Sequence, residues 1–230
     1  MREALTQSVF FGAALTLLCY EVGLWIKKKT NRSIANPVLV AVLIIITILL
    51  LSGIDYETYN EGASYFSMLL TPATVSLAIP LYRQLELLKR YPKAIFGGIA
   101  AGVLTAMVSI FLMSLAFGLN HQQYVTLLPK SITTAIGMGV SEKMGGIVTI
   151  TVVAISITGL SGTIGAEAIC KLFRIKHPIA KGLAVGTASH ALGTTKAMEW
   201  GEIEGAMSSL SIVVAGIMTV VSVSIFANFI

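Results

Sequence analysis

Between Gly182 and Thr195 the chain carries no acid, lysine or arginine, yet it is built from Gly, Ala, Ser and Thr around one imidazole (GLAVGTASHALGTTK, Gly182 to Lys196). Hydrophobic segments flank it on both sides. Fourteen uncharged residues are too few to cross a bilayer core of about 30 Å, which takes roughly 20 in a helix. A short polar element at membrane depth is tolerated only where it is buried in protein or lines a water-filled cavity. The stretch is therefore expected to form a half-helix or re-entrant element at the centre of a small-molecule pathway. Read as one helix, it places Thr187, His190 and Thr194 on one face and Ser189, Gly193 and Lys196 on an adjacent one. Gly186 and Gly193 are the expected points of interruption.

The rest of the chain sets this element in a membrane. Of 230 residues, 55% are hydrophobic and only 12% charged, against about 25% charged in an ordinary soluble domain. Mean hydropathy is +0.84. Spans are expected at Leu5 to Ile26, Val38 to Leu51, Ala63 to Leu81, Ala94 to Leu119, Gly146 to Cys170 and Ala206 to Phe229. The expected fold is all-α: a polytopic membrane protein of about six spanning helices with two or three broken or re-entrant segments, forming one integral membrane domain over residues 1–230. The net charge of +5 does not point to nucleic acid, because the basic residues cluster at segment ends, as membrane topology requires. Cys19 and Cys170 lie in apolar segments without partner spacing and read as small core residues. No metal site or cofactor is expected.

Loop charge orients the spans. The loops at 27–36 and 82–93 are basic and read as cytoplasmic, as does the cluster Lys171, Arg174, Lys176 and Lys181; the acidic loop at 53–62 reads as external. Tyr124 to Lys143 must then start and end on the same side, which suggests a second re-entrant or broken element. A weak internal repeat accompanies it: LLTPATVSLAIP (Leu69 to Pro80) resembles LLPKSITTAIG (Leu127 to Gly137), giving possible halves at about 37–120 and 121–230. Paired Pro-interrupted hydrophobic segments point to a transporter with its site at the repeat interface, and helices that merely pack through small residues are the alternative. Pro72, Pro80 and Pro129 are the expected helix breaks.

Lys130 is the most costly residue in the chain if it lies at membrane depth, where a central lysine costs about 2.5–3.5 kcal/mol on insertion scales. In helix geometry Lys130, Thr133, Thr134 and Gly137 share one face, with Pro129 freeing backbone groups beside them; the cation, these hydroxyls with that of Ser131, and a helix N-terminus make a reasonable cradle for a carboxylate. A lysine at the membrane surface just before a helix is the bland alternative. His190, among small polar neighbours, could carry or sense a proton or simply bond a backbone carbonyl. Glu167 is expected to pair with Lys171 (i, i+4). Thr74 and Ser76, in the first repeat segment, complete the candidate pathway of Lys130, Ser131, Thr133, Thr134, Thr187, Ser189, His190 and Thr194. No GxSxG, HExxH or phosphate loop is present, and Ser189-His190 are adjacent, an awkward geometry for a nucleophile and its base. No enzyme is expected.

Asn36-Pro37, LLTPATVSLAIPLYRQ (Leu69 to Gln84), LLPKSITTAIGMGVS (Leu127 to Ser141) and GTASHALGTTKAMEWGEIEGAMSSL (Gly186 to Leu210) together resemble the LrgB/CidB family of bacterial membrane proteins. The match runs over essentially the whole chain. Ala135 stands where the family usually has Pro, and Thr195 where it usually has Ala. The resemblance implies two competing functions. One is an antiholin- or holin-like role, modulating murein hydrolase activity, autolysis and programmed cell death with a small LrgA/CidA-type membrane partner. The other is transport of short carboxylates of the pyruvate and glycolate class, as in a plastid glycolate/glycerate translocator that resembles the family. The residues favour transport, since Ser, Thr, His and Lys concentrate in short broken segments as a selective site requires. The expected setting is the bacterial cell (inner) membrane, multi-pass, as a homo-oligomer.

Overall fold

The computed structural model describes residues 8, 10–30, 35–69, 72, 75, 76, 78–83 and 85–230. Its backbone packing groups the chain into two units, 1–76 and 77–230.

In the first unit, helix α1 (Phe11–Thr30) runs against α2 (Pro37–Ser52). Asn36 caps α2 as its Asn-Pro pair predicts: Asn36 Oδ1 accepts from the Val38 and Leu39 N–H groups at 2.9 and 3.3 Å, and Pro37 fills the first helical position, where no N–H is needed. The short α3 (Tyr56–Ala63) packs back on α1, where the Tyr59 hydroxyl meets Thr16 Oγ1 at 2.8 Å. Cys19, Ala41 and Ile45 form the small core of this pair. The expected third span, Ala63 to Leu81, is described only in pieces, α4 (Tyr65–Met68) and α5 (Ala78–Arg83). Pro80 lies within α5, and Leu77 just before α5 lies outside the described residues. The Leu5 end of the expected first span lies outside the described residues, as does part of Leu69 to Pro80, the first copy of the expected repeat.

The second unit holds the long helices. After α5 and α6 (Leu85–Arg90) come α7 (Pro92–Phe117), α8 (His121–Leu127), α9 (Thr134–Lys143), α10 (Val148–Leu172), α11 (Pro178–Trp200) and α12 (Glu202–Phe226). Among the described residues, α7, α10 and α12 with its final turn are long and apolar enough to cross a membrane, and α2 is apolar but shorter. Three of the six expected spans coincide with these helices. Their outward faces carry large apolar side chains such as Leu112, Ile157 and Ile217, the arrangement of helices solvated by lipid. Ile95, Ile99, Val103 and Met107 repeat every fourth residue along α7 and form the core with Leu183 of α11 and Met207 and Leu210 of α12. From Gly205 to Ile212 every residue of α12 is buried, because both arms of α11 enclose it.

Two hairpins enter this framework from opposite ends of α10. The first is α8 and α9. Asn120 and Gln123 close a reciprocal capping box at the start of α8. The chain leaves helical geometry between Leu128 and Thr133, at Pro129, and returns as α9. The open end of this hairpin is tied to the start of α10, where Thr151 Oγ1 lies 2.7 Å from Ser141 Oγ and 2.9 Å from the Thr126 carbonyl, while the Ile147 N–H donates to Thr126 Oγ1 at 2.8 Å.

The second hairpin is α11, which is not one straight helix. His190 has φ 43 and ψ −135, so residues 178–189 and 191–200 are separate arms. In a straight helix Lys181 and Trp200 would stand about 28 Å apart, whereas the Lys181 ammonium is 5.7 Å from the Trp200 ring centroid. The chain folds back here as a broken helix, with two differences from what the sequence suggests. The break falls at His190, while Gly186 and Gly193 are helical, and Thr187, His190 and Thr194 do not share a helix face because the helix ends between them. The two glycines serve packing instead: a Cβ at Gly186 would land 2.5 Å from the Ser208 carbonyl, and one at Gly193 would land 2.6 Å from the Val185 carbonyl on the opposite arm.

At the far end of α10 the chain turns through Arg174, at φ 55. The Ile175 N–H bonds the Cys170 carbonyl at 2.8 Å and the Arg174 N–H bonds the Lys171 carbonyl at 3.2 Å, a Schellman ending whose left-handed position glycine normally fills. A side chain there costs roughly 1 kcal/mol. Arg174→Gly is accordingly expected to raise the thermal unfolding midpoint in detergent; a clear fall would contradict this account of the turn.

Candidate functional site

The tips of the two hairpins meet alongside the middle of α10. Gly137 of α9 packs on Ile155, and the Ile155 carbonyl in turn lies 3.1 Å from His190 Nε2 at the tip of α11. Gly159 and Gly162 make the approach possible. A Cβ at Gly159 would sit 2.6 Å from the His190 ring, and one at Gly162 would overlap the Ser189 hydroxyl. Thr194 Oγ1 donates to the His190 carbonyl at 3.0 Å, beside the break, and shares a 2.8 Å hydrogen bond with Ser208 Oγ of α12. Breaking a helix at membrane depth frees backbone groups that must find partners inside the protein, and Thr194 supplies one.

Beside the tips lies a cleft of about 520 Å³ walled by α7, α10, the first arm of α11 and the turn after α8. Lys130, Ser131, Thr187 and Ser189, four of the residues singled out from sequence, line it together. Lys130 is partly buried and its ammonium lies 3.4 Å from Ser131 Oγ; no carboxylate among the described residues pairs with it or lines the cleft. Thr187 is 7% exposed, and its hydroxyl has no hydrogen-bond partner in the described protein. The second arms of both hairpins, α9 and residues 191–200, begin at the tips, so two helix N-termini with their partial positive charge point towards the same region.

The other candidates fall elsewhere. Thr133 is the N-cap residue of α9 and Thr134 its first residue; both are half-buried and outside the cleft lining. His190 and Thr194 are buried and build the break without lining the cleft. Pro129 sits in the non-helical turn that presents Lys130. Ser76 and Pro72 are exposed residues of the first unit, and Thr74 lies outside the described residues. Sequence reading passed over the opposite wall: Gly98, Gly102, Thr105 and Ser109 on α7, and Thr158, Ser161 and Gly162 on α10. The signal was present, since small and hydroxyl residues spaced three and four apart mark one helix face inside an otherwise apolar span. Glu167 pairs with Lys171 at 2.8 Å as its spacing predicts, and Cys19 and Cys170 are free and buried.

The LrgB-like family matches residues 16–229. The chain belongs to this family. Among its relatives, the antiholin-like protein LrgB of Bacillus cereus (strain B4264) is 38% identical over 228 residues, covering 99% of both chains, and the antiholin-like protein LrgB of Bacillus anthracis (strain CDC 684 / NRRL 3495) matches to the same extent. No solved structure matches the chain. Family membership and the three apolar helices make this LrgB-like chain a membrane protein, in a family of membrane proteins and not of enzymes.

The tight seat of the tip on α10 makes a direct prediction. Gly162→Ala should lower stability by roughly 1–3 kcal/mol, as overpacking does, whereas Gly97→Ala, whose Cβ would meet nothing within 4 Å, should be neutral or stabilising. Thermal unfolding in detergent separates them, and equal midpoints for the two variants would contradict the close approach.

Proposed function

We propose that this LrgB-like protein is a transporter of small monocarboxylates of the pyruvate and glycolate class, with Lys130 as the anchor for the carboxylate. The observation that carries this reading is a partly buried lysine without an acidic partner among the described residues, held at a hairpin tip in a cleft whose other polar side chains are hydroxyls. An ionisable residue at membrane depth is expensive and marks a substrate or ion pathway by default. One ammonium answers one carboxylate. The hydroxyls of Ser131, Thr187 and Ser189 suit the keto or hydroxyl group beside it, and the unpartnered Thr187 hydroxyl is the natural donor or acceptor for that group. Broken helices whose N-termini face an anionic group near the membrane midplane are the construction that alternating-access carriers use. The protein sits in the bacterial cell membrane as a multi-pass homo-oligomer, with the end of α10 at Lys171 and Arg174 on the cytoplasmic side.

A second reading comes from the relatives' names, antiholin-like protein LrgB. On that reading the chain modulates murein hydrolase activity and autolysis with a small LrgA/CidA-type partner. A carrier saturates and shows competition between substrates; a holin-type lesion releases every small solute alike.

Uptake of labelled pyruvate, glycolate and lactate into proteoliposomes, with and without a pH gradient, distinguishes the two. Saturable uptake is expected, reduced about tenfold or more by Lys130→Ala, the size of effect that losing one charge-assisted hydrogen bond produces. Lys130→Arg should retain part of it. Unselective release, or uptake that Lys130→Ala leaves intact, would overturn the transport reading.

A further inference from the structure

A second pocket, of about 500 Å³, lies where the end of α10 meets the two outer ends of α11. It shares no lining residue with the central cleft. Five cations and two carboxylates surround it. Both carboxylates are engaged, Glu167 with Lys171 at 2.8 Å and Glu199 with Lys196 at 2.9 Å. Arg174, Lys176 and Lys181 have no such partner among the described residues; Lys181 stands over the Trp200 indole instead. Membrane topology accounts for the number of basic residues at this end. It does not account for their convergence on one concavity, nor for Lys196, which comes from within the second arm of α11 and whose side chain is only 16% exposed.

The turn supplies an independent observation. Arg174 occupies the left-handed position of the Schellman ending, where glycine would be less strained. Strained residues persist where the surroundings over-determine them, and they cluster at functional sites. Here the strained residue is an arginine that lines a pocket already rich in positive charge, so the turn keeps a costly cation where it is electrostatically least welcome unless an anion answers it.

We propose that this pocket binds a phosphate-bearing anion, with Arg174, Lys176 and Lys181 as its ligands. An excess of three cations over carboxylates in the lining matches a group with two or more negative charges, and the planar guanidinium fork of Arg174 fits phosphate oxygens. A monocarboxylate would leave two of the cations unanswered, which separates this site from the central cleft. Lys181 comes from the first arm of α11, Lys196 and Trp200 from the second, and Arg174 from the end of α10. A phosphate held among them clamps the base of the hairpin to the helix against which its tip rests. The phosphate can come from a soluble anion or from a phospholipid headgroup at the membrane surface; the chemistry is the same.

Trp200 is the built-in reporter. The chain has two tryptophans, so in a Trp25→Phe background the emission belongs to Trp200 alone. This protein is placed in phosphatidylcholine nanodiscs and titrated with inorganic pyrophosphate at constant ionic strength. A saturable change in emission is expected as phosphate draws Lys181 off the ring, with chloride giving none. Arg174→Gly, which preserves the turn, should weaken binding about tenfold or more. In a second arm the nanodiscs contain phosphatidylglycerol and no pyrophosphate is added. If the emission is already shifted there and pyrophosphate changes it no further, the lipid headgroup is the ligand; a response confined to added pyrophosphate identifies the soluble anion. Emission indifferent to both, a response that chloride reproduces, or equal responses from Arg174→Gly and its parent would overturn the proposal.

Discussion

A membrane interior offers no water to a free N–H or C=O, so a helix that stops halfway must be sealed by protein on every side. The second unit of this chain is arranged around that requirement. Each hairpin tip rests on α10: α10 accommodates that of α11 with Gly159 and Gly162, where any side chain would collide with His190 or Ser189, and α9 brings its own Gly137 against Ile155. Thr194 bonds the His190 carbonyl beside the break and the Ser208 hydroxyl. On the other side, the Lys130 N–H bonds the Leu127 carbonyl and the Ile132 N–H bonds that of Pro129, closing the turn locally. Only when the backbone is satisfied in this way can the tips expose side chains to a cleft.

The position of the break shows why its chemistry was legible and its geometry only partly so. The absence of charge over Gly182 to Thr195, combined with a length too short to span, suggests an interrupted helix from sequence alone. Which residue turns is decided by packing. Gly186 and Gly193 looked like natural hinges because glycine is permissive, but both are consumed by helix contacts with Ser208 and Val185. The turn falls on His190, whose ring bonds the Ile155 carbonyl and holds a backbone conformation that glycine would adopt more easily. That bond crosses 35 residues of sequence and leaves no local pattern.

Lys130 was identifiable for the opposite reason: a lysine inside a hydrophobic segment is anomalous without any knowledge of the fold. The α7 wall of the cleft was not anomalous in the same way. Gly98, Gly102, Thr105 and Ser109 read as ordinary small residues of a membrane helix until α11 is seen to lie beside them, with a Cβ at Gly102 falling 2.6 Å from the Thr187 methyl. Thr133 and Thr134 illustrate a limit of helical-face reasoning. They share a face with Lys130 only if one helix runs through all three, and the chain is not helical between Leu128 and Thr133.

On the proposed transport function, the hairpin tips frame a water-filled cleft in which Lys130 holds a carboxylate. Thiol protection tests it most directly. Cys19 and Cys170 are replaced by alanine, and Ser161, an exposed residue of the α10 wall, is replaced by cysteine. Ile157→Cys, on the same helix but outside the cleft lining and 60% exposed on the apolar surface, is the comparison. A membrane-impermeant maleimide should label the cysteine at 161 and leave that at 157 unmodified. Pyruvate should slow labelling at 161, and Lys130→Gln should abolish that protection. Equal labelling at both positions, or protection that persists without Lys130, would contradict the account.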